Sequence, residues 1–207
     1  FTAGSRRAFS SRMKHFIAIS SLLAALVAVG VGAPTEARAE TQSPISLSLV
    51  PPIQIVPPQG SVYGFRLNIF GKNQTVHGLD IGFINWVDDE FLGVQFLGFG
   101  WVEGEMKGVQ FNYVANIGRS SVEGGQLGLF NLAGAGSTGL QWGAVNFAEA
   151  DLMGVQVGLF DYSAKFSGLQ FGLVNFTENL SGVQIGLINI AKNGFLLVFP
   201  IVNFNVE

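Results

Sequence analysis

Reactive side chains are scarce in this 207-residue sequence, and their spacing narrows the chemistry they could do. General acid–base catalysis needs a histidine, or carboxylates held in unlike surroundings. After His15 the only histidine is His77, with no cysteine anywhere and no second histidine nearby to share a metal. No Ser-His-Asp arrangement can be assembled around it, because no acid has the spacing to orient the ring. Two acidic groups, Asp88-Asp89-Glu90 and Glu103 with Glu105, sit one 15-residue period apart. Stacked connections could bring them together as oxygen ligands for Ca²⁺, although solvated turn acids are the plainer reading. The aromatics Trp86 and Trp101 share one column, as do Phe147, Tyr162 and Phe176. Such columns read as a core stack before they read as a sugar-binding platform. The glycines do not form a phosphate loop, since no Lys-Ser/Thr follows them at a strand-to-helix turn. On these residues no catalytic, cofactor-binding or metal-binding position is assigned, and no cofactor is expected.

The elements that position these groups are written into the sequence eight times. Between Gly78 and Ala191 the chain repeats Gly-apolar-Gln-apolar-Gly-apolar-apolar-Asn-apolar-small. Copies open at Gly78, Gly93, Gly108, Gly124, Gly139, Gly154, Gly168 and Gly182, with steps of 15, 15, 16, 15, 15, 14 and 14 residues. A fixed short period signals a stacked array whose units bury their apolar faces against their neighbours. Two positions after the opening glycine stands Asp80, then Gln95, Gln110, Gln126, Gln141, Gln156, Gln170 and Gln184. Apolar residues flank each of them, the alternation of a half-buried strand. A second polar column holds Asn85, Asn131, Asn146, Asn175 and Asn189, with Asp161 as a near substitute.

Two architectures use units of this length. In a β-solenoid each repeat is one coil of two short strands, and coils stack in parallel about 4.8 Å apart. In a small outer-membrane barrel of about ten strands, each repeat is one strand with antiparallel neighbours. Parallel stacking puts like residues over like, so the Gln and Asn columns can form side-chain ladders. The connections are also nearly uniform, where barrel turns alternate between short and long. Two positions before the opening glycine the chain is again mostly apolar, which suits a buried corner. The expected fold is therefore an all-β solenoid of about eight 14–16-residue coils, with an N-terminal hairpin and a C-terminal cap. Positions five and six, such as Leu187-Ile188, are both apolar. A solenoid corner could turn both inward, whereas a straight strand would leave an apolar outer stripe.

The ends of the chain imply export. A basic start at Met13-Lys14-His15, an apolar run from Phe16 to Val31 and the small-x-small site Ala37-Arg38-Ala39 read as a signal peptide, with an uncleaved membrane anchor as the competing reading because the run is long for a signal core. That assigns 1–39 to the signal and the residues upstream of it. Its removal leaves 6 basic and 13 acidic residues, a net charge of −7. No basic patch remains, which excludes nucleic acid as a partner. Five of the seven prolines (Pro44, Pro51, Pro52, Pro57 and Pro58) lie between the signal and the repeats, so 40–62 reads as a Pro-rich extended leader. The repeat domain would span 63–207, with a hairpin over 63–77 turning at Gly71-Lys72-Asn73, the copies over 78–195 and a cap over 196–207.

The repeat phrase, the lead-in FRLNIFGKNQTVHGLDIGFIN and the ending GVQIGLINIAKNGFLLVFPIVNF resemble a family of bacterial surface repeat-containing proteins. The resemblance covers most of the chain after the signal. It implies export to the cell surface, outer membrane or periplasm, and it carries no assigned activity and no catalytic residues. The expected function is thus a non-catalytic envelope or surface protein with a structural or interaction role, meeting envelope or surface components and able to associate with a membrane. An integral outer-membrane barrel and an enzyme acting on envelope polysaccharide are the two alternatives.

Overall fold

Because the repeats place like residues one period apart, the strands they form pair in register with their own copies. In the computed structural model, which describes residues 41–134 and 136–205, the chain is all-β, with no helix among those residues. The signal-peptide reading of 1–39 lies outside the described residues. The strands are β1 (Gln42–Val50), β2 (Ile53–Gln54), β3 (Ser61–Val102), β4 (Met106–Gly118), β5 (Val122–Leu127), β6 (Phe130–Ala133), β7 (Ser137–Trp142), β8 (Val145–Ala191) and β9 (Val198–Asn205). Every pairing between successive copies is parallel: Gly93 lies beside Gly108, Gln95 beside Gln110, Asn131 beside Asn146 and Gln141 beside Gln156. The fold is a β-solenoid of about eight turns. A barrel needs antiparallel neighbours, so the barrel alternative falls.

One turn is shown by β5 and β6, the front and back strands of a single coil. β5 pairs with the first half of β4 and with β7, while β6 pairs with the second half of β4 and with the start of β8. Counting from the opening glycine, side chains at positions two and seven face inward, as do those two before the next glycine. The inward positions divide by chemistry. Gln and Asn fill the half near the corner at positions four to six. The other half is apolar: Val76, Phe91, Met106, Val122, Leu152, Phe166 and Leu180 are all buried. Ser137 replaces an apolar residue in that column, and there the apolar core divides into two clusters. Its hydroxyl donates to the Gly134 carbonyl and accepts from the Val122 amide, so the buried oxygen is satisfied.

Glycine opens each coil for a backbone reason. At Gly139 φ is +141°, and a Cβ there would lie 1.8 Å from the carbonyl oxygen of Gly124 in the coil beneath. Both the left-handed conformation and the closeness of the backbones demand a residue without a side chain.

The N-terminal end differs from the sequence expectation, while the expected cap is present at the other end. Residues 42–48 pair in parallel with 61–68, so the Pro-rich stretch is part of the stack rather than a leader. The expected hairpin over 63–77 is a coil: Gly64, with φ +154°, opens it as Gly78 opens the next. The N-terminal hairpin lies earlier, between β1 and β2, where Ser48 pairs antiparallel with Gln54 across Pro51-Pro52. At the other end β9 runs antiparallel along the last coil, with Gln184 opposite Asn203 and Ile190 opposite Val198. That cap covers an edge otherwise open to another strand.

Candidate functional site

The outward positions one, three, five, six and eight are apolar in nearly every copy from Gly78 to Ala191. They wrap three sides of each coil: the front face, the corner and the back face. At the corner the side chains stand well clear of the body, with Leu187 69 % exposed, Leu129 65 % and Phe83 61 %. Positions five and six therefore point outward rather than turning in. Buried backbone hydrogen bonds run from coil to coil here, so nothing polar needs to face out.

Charge is confined to the opposite corner. In these copies, among the described residues, every exposed acidic or basic side chain lies between position ten and the next opening glycine. There Arg119 pairs with Glu149 at 2.9 Å, Lys107 with Glu105 at 2.8 Å and Lys192 with Glu178 at 3.1 Å. The aromatic column at position eight marks the border. Trp86 stacks on Trp101 with centroids 4.9 Å apart, and Phe147, Tyr162 and Phe176 stack likewise. These rings are half-exposed on the outer face, not the core stack expected. The indole N–H of Trp86 donates to Asp88, and that of Trp101 to Glu103, each at 2.7 Å. Each ring thus lies against the apolar flank with its polar tip turned to the charged corner.

Two ladders of amides stand behind the apolar corner. Gln110 Nε2 donates to Gln95 Oε1 at 2.9 Å, and Gln126, Gln141, Gln156, Gln170 and Gln184 continue the series at 2.6–2.9 Å. Several also cross the interior to a back-strand carbonyl, as Gln126 does to Leu132 O at 2.9 Å. The N–H groups of this ladder point towards the N-terminus. They end on Asp80, whose Oδ2 accepts from Gln95 at 3.0 Å. Arg66 closes that end, holding both Asp80 oxygens at 2.7 and 2.6 Å with neither side chain exposed. Isolated, either charge would be very costly to bury; paired and hydrogen-bonded, the two are tolerated.

The asparagine ladder runs the other way. Asn68, Asn85, Asn112, Asn116, Asn131 and Asn146 each donate to the next, ending on Asp161 Oδ1 at 2.7 Å. Beyond the break Asn175 donates to Asn189 at 2.7 Å, and Asn189 to the Phe199 carbonyl of β9. Three members lie outside the repeated column: Asn68, Asn112 and Asn116. The sequence held a signal for them. Where Gly100 takes the asparagine place, the next copy carries Asn112 in place of a position-four glycine. A Cβ on Gly100 would lie 2.3 Å from Asn112 Nδ2, so the Asn112 side chain occupies the space Gly100 leaves.

The break lies between Asp161 and Asn175. Asp161 Oδ2 and Asn175 Oδ1 are both buried without a partner. They share the space beside Gly172, where a Cβ would lie 2.7 Å from one and 2.8 Å from the other. Asn175 cannot turn its amide to help, because its Nδ2 already serves Ile185 O and Asn189. Burial raises the Asp161 carboxyl from the usual 3.8 to about 7, against the opposing hydrogen bond from Asn146. A proton on Oδ2 supplies the missing donor.

No protein-family model, no curated protein and no solved structure matches this chain.

The remaining reactive groups lie apart from one another. His77 Nε2 is 3.2 Å from Glu90 Oε2, and its ring meets Tyr63 edge-on. Asp88 is held by Lys72 at 3.2 Å and by Trp86. Among the described residues no group of three His, Asp or Glu side chains is placed to hold a metal ion. The two polar columns are internal and reach no solvent, so the surface the chain offers is the apolar flank and the charged corner opposite.

Proposed function

We propose that this chain is a non-catalytic protein exported to the bacterial envelope or surface, where its apolar flank is the working surface of a structural or interaction role. One observation carries this reading: five outward columns of apolar side chains run through the copies from Gly78 to Ala191, and the exposed charges of those copies keep to the opposite corner. Exposed apolar surface on this scale marks a contact with another body. Support for export comes from the signal-type N-terminus and from the resemblance to surface repeat proteins. The most unusual ionisable groups, Arg66, Asp80 and Asp161, are wholly enclosed. In that setting they hold coils together and meet no substrate.

The reading predicts processing after Ala39. Expressed in a Gram-negative host, the tagged chain should be recovered outside the cytoplasm with Glu40 as its new N-terminus, by Edman sequencing. Deletion of 13–39 should leave it in the cytosol. Recovery of the unprocessed chain in the cytosol would refute the proposal.

A further inference from the structure

We propose that the apolar flank inserts into one leaflet of a lipid bilayer, with the solenoid axis lying in the membrane plane and the charged corner in water. The inference rests on the reading of the flank as a working surface, and it names the occupant.

The shape of the flank selects lipid over a second copy of the chain. Apolar columns cover the front face at positions one and three, the corner at five and six, and the back face at eight. A partner protein docked against one face leaves the opposite face bare. Fluid acyl chains can surround a convex wedge on all three sides. The dimensions also fit. From position five to the aromatic column at position eight is three residues, about 10 Å of extended strand. A leaflet offers about 15 Å of hydrocarbon, half the bilayer core, so the corner inserts without crossing.

The backbone suits that solvent. Lipid tolerates no unpaired N–H or C=O, which excludes open sheet edges from it. Here each coil's strands pair with the coils above and below, so among the described residues the open edges lie only at the two ends, along the β1–β2 hairpin and β9. Trp86 and Trp101 lie where the apolar flank gives way to charge, each with its N–H turned to an acid. Amphipathic rings concentrate at that depth of a membrane. The acidic balance and the lack of a basic patch leave no electrostatic attraction to anionic headgroups, so insertion draws on apolar area alone.

The test uses the full chain with Trp86→Phe and Trp101→Phe, so that Trp142 on the front face is the sole indole. The apolar run at Phe16–Val31 carries no tryptophan, so acyl-chain quenching reports the depth of Trp142 itself. With vesicles of neutral phosphatidylcholine brominated on the acyl chains, Trp142 emission should be quenched, equally at low and high salt. Adding Leu129→Asp and Leu159→Asp at the corner should lower vesicle partitioning at least about tenfold. Circular dichroism should show the β-stack retained, since both leucines are exposed. Leu187→Asp, in another coil, should act in the same direction, while Glu178→Gln on the charged corner should change nothing. Unquenched Trp142 with a doubled mass by light scattering would assign the flank to a second copy and overturn the proposal. Quenching only with anionic lipid, or quenching untouched by the corner variants, would overturn it too. If Trp142 stays unquenched while L129D/L159D still abolishes envelope association in cells, the working-surface reading stands and lipid as its occupant falls.

Discussion

Replacing Asp161 with asparagine should stabilise the protein, and by an amount set by pH. The carboxyl sits at the one gap in the asparagine ladder, with Oδ2 and Asn175 Oδ1 both unpartnered. An asparagine would keep its Oδ1 on Asn146 and turn its Nδ2 towards Asn175, restoring the direction of every other rung. The magnitude follows from the carboxyl's displacement from 3.8 to about 7. A folded state that holds the proton more tightly than the unfolded chain loses stability as pH rises between those two values. Below 3.8 both states are protonated and the contribution is intact; above about 7 the loss is complete. Three units at 1.36 kcal/mol each come to about 4 kcal/mol. D161N escapes that loss, because its Nδ2 supplies at every pH the donor that the carboxyl supplies only when protonated.

The assay is urea unfolding followed by tryptophan fluorescence in a mild non-ionic detergent, for wild type and D161N in parallel at several values from pH 4 to 8. Comparing the two proteins at each pH cancels every other titrating group. The midpoints should lie close together near pH 4. They should diverge upward, reaching about 2 M urea apart at pH 8 for a slope of about 2 kcal/mol per molar. A pH-independent difference would show that Asp161 stays ionised throughout. A D161N protein less stable than wild type at pH 8 would show that the gap is filled in another way. Either result refutes the proton-closed ladder.

Arg66→Met should cost about 3–5 kcal/mol, because it strands a buried carboxylate; adding Asp80→Asn should recover much of that in a double-mutant cycle. Recovery should be incomplete, since Asn73 Oδ1 and Trp86 O also lose the guanidinium as donor. Gly139→Ala should cost about 3 kcal/mol or more, from strain at positive φ and the clash with Gly124. Gly125→Ala should instead stabilise by about 0.5 kcal/mol, since a Cβ there meets nothing closer than 3.4 Å. Thermal melts by circular dichroism distinguish the two glycine variants, and equal losses for both would contradict the distinction drawn between the glycine columns.

The direction of stacking was legible because polar side chains recur in single columns, and only parallel coils give such columns a partner. The N-terminal end was not legible, whereas the cap over 196–207 was. The coil opening at Gly64 carries Arg66 where its successors carry Asp80 or glutamine. It also carries Asn68 at position four and Gly71 at seven, the reverse of the usual glycine and asparagine. Read against the repeat it looks irregular, yet the Asn68 amide fills the same inner space from the other side of the coil. Proline misled in a similar way, since Pro44, Pro51 and Pro52 flank or interrupt β1 without preventing its pairing from Gln42 to Ser48. The orientation of positions five and six could not be decided from hydrophobicity alone. An apolar pair fits a buried corner or a lipid-facing one equally well. What decides it is volume: the two amide columns already fill the interior beside that corner.

Amides inside and hydrocarbon outside reverse the usual arrangement of a soluble protein, and the reversal is consistent if the corner faces lipid. A side-chain ladder one layer beneath a wet surface competes with water at every fluctuation. Behind an apolar layer set in hydrocarbon the same bonds gain from the low dielectric. That setting is unforgiving of unpaired charge and of large summed dipoles, and both are controlled here. Glutamine N–H groups point towards the N-terminus and asparagine N–H groups towards the C-terminus, so the two columns oppose each other's field. The glutamine donors end on a carboxylate already matched by Arg66, and the asparagine donors end on a backbone carbonyl of β9. Asp161 is the remaining exception, and its carboxyl is pushed towards the neutral form by the burial that makes a charge expensive there. Insertion of the flank would remove still more water from around it and push the carboxyl further in the same direction. Wild type should therefore show a larger deficit relative to D161N at pH 8 when bound to vesicles than when free in detergent-free buffer at the same pH, as measured by hydrogen exchange at the amides flanking position 161. An unchanged or smaller deficit on the vesicle would mean that no water is lost around Asp161 on binding and that the corner behind it is not in lipid.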